Sequence, residues 1–274
     1  MYEIIFLLVL GFVWIFFASV QDLKKREVAD WLNFSLIIFA LGFRFFYSLF
    51  DSGNFTFFYQ GLIGLGIFFV IGNLLYYSHF FAGGDAKLMI ALGAVLPISN
   101  SLTENLNIFL IFFIVFLFAG AFYGLIWSFV LAFSNFKKFK KEFSRRFKVD
   151  KKIGYVIMVF GILIMVFGFG GLWFVLGILV FFAYYILIFA KAVEEVCMIK
   201  KVDSENLVEG DWLYKDIKIK NKVIKSKWDG LSKEEIRLIK MSKKNVLIKQ
   251  GIPFVPVFLI SFLVLVFTEF FLEL

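Results

Sequence analysis

Residues 153–190, IGYVIMVFGILIMVFGFGGLWFVLGILVFFAYYILIFA, run for 38 positions without a charged side chain. As one helix this stretch would be about 57 Å long, nearly twice the ~30 Å hydrocarbon core of a bilayer. Gly168-Phe169-Gly170-Gly171 sits at its middle. Three glycines in four residues suit a tight turn, so the stretch reads as two spanning helices joined there. The whole chain repeats the signal. Of its 274 residues 61% are hydrophobic, 42 are Phe and only 3 are Pro, with a mean hydropathy of +0.89. Soluble domains hold roughly 45–50% apolar residues. Such a composition excludes a soluble, disordered or fibrous chain and points to a polytopic membrane protein.

Outward from that stretch, further apolar segments cover residues 2–20, 32–50, 57–81, 108–133 and 253–272, with a shorter one at 86–98. The first carries Glu3 and no basic n-region, and no small-residue cleavage site follows it, so it reads as a retained helix. The pattern predicts an all-α polytopic membrane protein of about 6–8 transmembrane helices, eight on the fullest count. Residues 191–251 form the one long hydrophilic stretch. Short β-like runs (216–220 and 222–224, with Asn221 between) and a helical piece opened by Ser232 and Glu235, a capping box, predict a small cytoplasmic α+β domain. The expected division is therefore 1–190 as a transmembrane helical domain, 191–251 as the cytoplasmic insert and 252–274 as a last helix.

Charge placement orients the spans. With Met1 outside, the inside segments are 21–31, the AGGDAK turn at 82–87, a strongly basic loop at 135–152, and 191–251. Together they hold 28 of the 29 Lys and Arg; the exception is Arg44, within a span. So one-sided a distribution follows the positive-inside rule. The net charge of +8 is thus a topology signal and not a nucleic-acid signal. The basic segments suit contact with anionic membrane lipid.

One Cys (Cys197) and one His (His79) exclude an internal disulfide and a Cys/His zinc cluster. Near the membrane, Asp22 closes the first span and Asp85 opens the fourth. The topology sets both at the same boundary, 63 residues apart in sequence. Two carboxylates at close range share a proton. One acts as base on a water while its protonated partner polarises a carbonyl, which is proteolytic chemistry without metal or cofactor. The plainer readings make Asp85 the N-cap of its helix and Asp22 a partner of Lys25 or Arg26. Gly83-Gly84 beside Asp85 free the backbone for close approach or are ordinary turn residues.

The motifs resemble those of the archaeal type IV prepilin and preflagellin (archaellin) peptidases, which are G-x-G-D membrane aspartic proteases. The carriers are Asp22-Leu-Lys-Lys-Arg26-Glu-Val28 with Asn33 beyond, and Ala82-Gly83-Gly84-Asp85-Ala86-Lys87. The runs Val208-Glu-Gly-Asp-Trp212, Val246-Leu-Ile-Lys and Gly251-Ile-Pro-Phe-Val-Pro256 also read like that family. Ala82 departs from the motif's first glycine, which puts the backbone geometry there in question. The resemblance implies catalytic Asp22 and Asp85, supported by Gly83, Gly84, Arg26 and Lys87. It implies a multi-pass protein of the cytoplasmic membrane whose site faces the cytoplasm. The implied substrates are prepilin or preflagellin subunits, cut after a short basic leader, and the longer insert leans toward the prepilin branch.

Other residues carry weaker expectations. Glu27 and Asp30 attract a basic leader or are a solvated face. Lys87 tunes Asp85 or marks a helix end, and His79 is structural. Arg44 and Glu3 pair with each other or reach headgroups. Gly120-x-x-x-Gly124 is a helix-packing signature. The rival functions are an intramembrane protease of presenilin or signal-peptide-peptidase type, a proton-using transporter, and a non-enzymatic scaffold.

Overall fold

A computed structural model describes residues 2–50, 53–149, 151–168, 171–219, 222–228, 230–242 and 245–271. Ten α-helices and five short strands lie among the described residues. The chain divides into two compact units, residues 1–124 with 252–274 and residues 125–251. Residues 136–190 therefore group by contact with 191–251, a different partition from the one hydropathy suggests.

The first unit contains α1 (Tyr2–Lys25), α2 (Asp30–Phe50), α3 (Thr56–Tyr77), α4 (Gly83–Leu92), the start of α5 (Leu102–Ser134) and α10 (Val255–Phe271). In the second are the remainder of α5, then α6 (Phe136–Val149), α7 (Lys151–Phe167), α8 (Leu172–Val193), α9 (Lys233–Ser242) and all the strands. Helices α1, α2, α3, α5 and α8, the last with its extension to Met198, are long and apolar enough to cross a membrane. The chain is a polytopic membrane protein with a small α+β region. Eight full-length spans are not found among the described residues. α4 has 10 residues, and α7 and α10 have 17 each.

α4 reaches further than its length suggests. After Leu92 the chain continues as turns through Leu96, running antiparallel to α3. Gly64 of α3 lies against Gly93, so close that a Cβ on Gly64 would meet the Gly93 carbonyl oxygen at 2.3 Å. The pairing of two glycines lets the two backbones touch.

Arg44 ties this region together. Its side chain is fully buried. It donates from Nε to Ala94 O (2.9 Å), from Nη1 to Phe57 O (2.9 Å), and from Nη2 to Val95 O (3.2 Å) and Pro97 O (2.5 Å). The guanidinium also stacks 4.3 Å from the Phe57 ring centroid. Neither Glu3 nor a lipid headgroup is its partner, contrary to the sequence-based expectation. Three carbonyl oxygens freed by the turns after α4, with the Phe57 carbonyl of α3 as a fourth acceptor, solvate the charge instead. Aromatic packing fills the centre, with Phe81, Phe116 and Phe258 mutually in contact. Gly120 faces the Phe254 ring, whereas Gly124 meets nothing within 4 Å. The glycine pair thus serves internal packing at its first member.

In the second unit α7 and α8 form the expected hairpin. Phe169 and Gly170 of its turn lie outside the described residues. The basic segment expected as a loop is the helix α6, with Phe136, Phe139, Phe143 and Phe147 at helical spacing. A π-helical turn, Glu194–Met198, extends α8. Strands β1 (Ile199–Val202), β2 (Trp212–Leu213) and β5 (Val246–Lys249) form an antiparallel sheet in the order β1-β5-β2. A separate hairpin pairs β3 (Ile217–Ile219) with β4 (Lys222–Ile224); Asn221 lies outside the described residues. The capping box forms as expected, with the Glu235 N–H donating to Ser232 Oγ and the Ser232 N–H to Glu235 Oε2. The Val208–Trp212 run is a turn closed by Asp211, which accepts the Val208 N–H at 2.9 Å, and it delivers Trp212 to stack on Trp228.

Replacing Arg44 with Met leaves four backbone carbonyls without their donor. The expected loss is about 3–5 kcal/mol of stability, read as a collapse of the thermal transition of the detergent-solubilised protein. An unchanged transition would show that the carbonyls are solvated without it.

Candidate active site

Asp22 lies three residues before the C-terminal end of α1, on its buried stripe with Ile15, Ala18 and Ser19. It is only 6% exposed. The carboxylate Oδ2 accepts the backbone N–H of Val255 at 2.9 Å, and the Phe254 N–H also donates to it. Val255 is the first residue of α10. Asp22 therefore caps a helix 233 residues away, setting its negative charge on the positive end of the α10 dipole. Pro256, in that first turn, has no N–H of its own to satisfy. The Gly251–Pro256 run is the connection that brings these donors to Asp22. The expected pairing with Lys25 is replaced by the α10 N-terminus, while the Arg26 charge does act on Asp22.

Asp85 is the third residue of α4 and not its N-cap, which is Ala82. An acid in the first turn of α4, it lies near the positive end of that helix dipole, where the Ala82 backbone N–H acts on its carboxylate. It is partly exposed and stands within the electrostatic reach of Asp22. Ala82 has φ −71° and ψ 163°, ordinary extended geometry, so alanine in place of the motif's first glycine costs nothing in backbone torsion. A Cβ on Gly83 would come no closer than 3.9 Å to Tyr76, and one on Gly84 no closer than 3.6 Å to Val28. Neither glycine has a positive φ. Neither packing nor torsion demands glycine at these two positions.

Both aspartates are held next to left-handed turns made without glycine. Arg26 (φ 57°) ends α1, its N–H donating to Asp22 O at 2.7 Å. His79 (φ 62°) ends α3 in a Schellman motif, with Phe80 N–H to Leu75 O and His79 N–H to Tyr76 O, both at 3.0 Å. These conformations cost side-chain-bearing residues about 1–2 kcal/mol each. His79 thus has the structural part expected of it, as the pivot that turns the chain toward Asp85.

Lys87 is engaged with Asp30 at 2.6 Å, joining the first turn of α4 to the start of α2. Gln21 Oε1 accepts the Ala29 N–H at 3.1 Å and closes the α1–α2 connection. Asn33 is 1% exposed, and neither its Oδ1 nor its Nδ2 finds a hydrogen-bond partner among the described residues. Two neighbours of Asp22 were not foreseen: the α10 N-terminus and Tyr123 of α5, which feels the charges of Asp22 and Arg26. No spacing signal links residues 22, 123 and 255. Among the described residues no group of His, Cys, Asp or Glu is suited to hold a metal ion.

Fold and site define a class: a multi-pass membrane protein with two carboxylates drawn together where one helix ends and another begins. Residues 9–132 match the model of the Type IV leader peptidase family, and over that segment the chain is similar to it. Among curated proteins it is similar to the preflagellin peptidase of Methanocaldococcus jannaschii, 33% identical over 92 residues, 34% of this chain and 38% of that protein. It is also similar to the preflagellin peptidase of Methanococcus maripaludis, 32% identical over 89 residues, 32% of this chain and 38% of that one. A third relative is the prepilin peptidase EppA of Methanothermobacter thermautotrophicus, 33% identical over 89 residues, 32% of this chain and 23% of that protein. The chain thus spans well under half the length of these relatives. No solved structure matches it.

Asp22→Ala removes the cap from α10 and is expected to lower stability by about 1–2 kcal/mol. Asp22→Asn keeps an acceptor oxygen and retains most of it. Thermal unfolding of the two variants in detergent checks this; equal transitions would mean that the cap contributes nothing. His79→Gly relieves the left-handed strain and is expected to raise the transition by a few degrees, whereas Ser78→Gly, in a right-handed position (φ −79°), lowers it.

Proposed function

We propose that the protein is a membrane aspartic endopeptidase that removes the short basic leader of prepilin-like or preflagellin subunits at the cytoplasmic boundary of the membrane. The observation that supports it is that Asp85, in the first turn of α4, feels the charge of Asp22, near the end of α1 and 63 residues away in sequence. The names of the similar proteins, preflagellin peptidase and prepilin peptidase, support the reading and supply the substrate class.

The reaction follows from the pair. Two neighbouring carboxyl groups hold one proton between them, since both cannot readily ionise. The ionised member takes a proton from water, and the water oxygen bonds to the scissile carbonyl carbon. The protonated member gives its proton to the carbonyl oxygen, leaving a tetrahedral diol. Collapse of the diol breaks the C–N bond: one diol hydroxyl returns its proton to the carboxylate that had donated, re-forming the acid product's carbonyl, and the proton first taken from water passes to the leaving amine nitrogen. In this reading Asp22, deeply buried against the α10 N–H groups, holds its position. Asp85, partly exposed beside Gly83 and Gly84, faces the approaching peptide. The two glycines, which the fold itself does not demand, keep side chains out of that approach. Arg26 and Lys87 are positioning residues: Arg26 ends α1 beside Asp22, and Lys87 fixes the start of α4 through Asp30.

The same geometry favours one second reading, in which Asp22 is only a cap and the protein a scaffold. The test separates them. Wild type, Asp22→Asn and Asp85→Asn are expressed in membranes beside tagged prepilin-like and preflagellin-like substrates, and the mobility shift of each substrate is followed. Wild type is expected to cleave at least one substrate class. Either Asn variant is expected to lose at least about 100-fold in rate while remaining folded. Full activity in either Asn variant would sink the two-carboxylate mechanism. Failure of wild type on both substrates would favour the scaffold.

A further inference from the structure

α6 is the most basic element of the chain. Its 14 residues, FKKFKKEFSRRFKV, contain five Lys, two Arg and a single acid, Glu142. The aromatic stripe is used within its own unit. Phe139 packs edge-on against Phe189 of α8, and Phe147 lies against Tyr184 and Tyr185. Both arginines are also engaged. Arg145 and Arg146 bracket Glu142 at 2.6 and 2.7 Å, and Arg146 reaches Glu195 at 3.5 Å. Glu195 in turn accepts the Tyr214 hydroxyl at 2.7 Å, so α6 is linked to the sheet region that follows α8.

The five lysines remain. Lys137, Lys138, Lys140, Lys141 and Lys148 are all exposed. No carboxylate pairs with any of them among the described residues. At 100° per residue, Lys137, Lys138, Lys141 and Lys148 fall on the side of the helix away from the aromatic stripe. Chain order sets the depth of that face. α6 is separated by one residue each from α5, a candidate membrane span, and from α7, the first arm of the apolar hairpin. A strongly charged helix between such neighbours lies at the membrane boundary, where headgroups are the abundant groups within reach of a lysine.

We propose that α6 is an interfacial lipid-binding helix whose exposed lysines bind anionic phospholipid headgroups. Charge complementarity selects this occupant. The basic leader of the proposed substrates carries the same sign as α6 and is repelled by it, so the lysine face is not a leader-binding surface. Through Arg146, Glu195 and Tyr214, the same helix is joined to the sheet region. The inference is independent of the peptidase reading.

The test reconstitutes the full chain in phosphatidylcholine bilayers doped with spin-labelled phosphatidylglycerol or spin-labelled phosphatidylcholine. The motionally restricted component of the spin-resonance spectrum then measures lipid selectivity. Wild type is expected to prefer phosphatidylglycerol several-fold at low salt, and the preference is expected to fall toward unity at about 1 M NaCl, where the Debye length is only about 3 Å. The quadruple variant Lys137→Gln, Lys138→Gln, Lys141→Gln, Lys148→Gln is expected to lose the preference. The corresponding Lys→Arg set, which keeps the charge, retains it. A control set in the sheet region, Lys200→Gln, Lys201→Gln, Lys218→Gln and Lys225→Gln, also retains it. An absent preference in wild type would overturn the proposal. So would a preserved preference in the α6 Gln set, or an equal loss in the control set, which would assign the effect to diffuse charge.

Discussion

A carboxylate buried at the end of one helix must be met by dipoles, and Asp22 is met by the N-terminus of another. The bond from the Val255 N–H to Asp22 joins two points 233 residues apart and closes the first unit on itself. It satisfies an N–H group that the start of α10 leaves orphaned, and together with the Arg26 charge it meets an ionisable group set among apolar side chains. Much of the candidate site depends on that bond. With α10 held there, Phe254 and Phe258 pack on Phe81 and Phe116, and this aromatic cluster lies beneath the turn that presents Asp85.

Arg44 solves the matching problem for the opposite charge. Its guanidinium is met by carbonyl oxygens set free where α4 dissolves into turns, and by the Phe57 carbonyl of α3. Short α4 and buried Arg44 are therefore two sides of one arrangement. A longer regular helix would have spent those carbonyls internally. The strained left-handed residues fit the same picture. Arg26 and His79 end α1 and α3 at the two places where the chain must turn sharply toward the carboxylate pair, and tertiary packing holds them there against their local preference. In the proposed reaction this scaffold fixes one carboxylate and leaves the other accessible.

Much was legible in the residues. The 153–190 stretch announced a hairpin because no bilayer accommodates a helix of that length, and α7 and α8 form it. The capping box of Ser232 and Glu235 formed because its two reciprocal bonds are local. Counting spans sets Asp22 and Asp85 at one expected boundary, and the Asp22 charge does act on Asp85. Errors arose where partners are distant. Arg44 was matched with Glu3 because both are charges in apolar surroundings, but backbone carbonyls, invisible in a list of side chains, are its partners. Of the two readings open for Asp85, the N-cap one fails, because Ala82 holds that place and Asp85 lies three residues further on. The basic segment 135–152 was read as a loop because its charge outweighed the three- and four-residue spacing of its phenylalanines.

The sequence by itself determined the membrane class, the number and rough extent of apolar helices, the side on which basic residues gather, and the carboxylates available for chemistry. Those properties follow from composition, length and local periodicity, which act residue by residue. Only the tertiary structure decided that Asp22 caps α10, that Lys87 engages Asp30, that Tyr123 stands near Asp22, and that Gly83 and Gly84 are not required by the fold. Each of these depends on which helix surfaces meet, and that is settled by packing between segments that share no local signal in the chain.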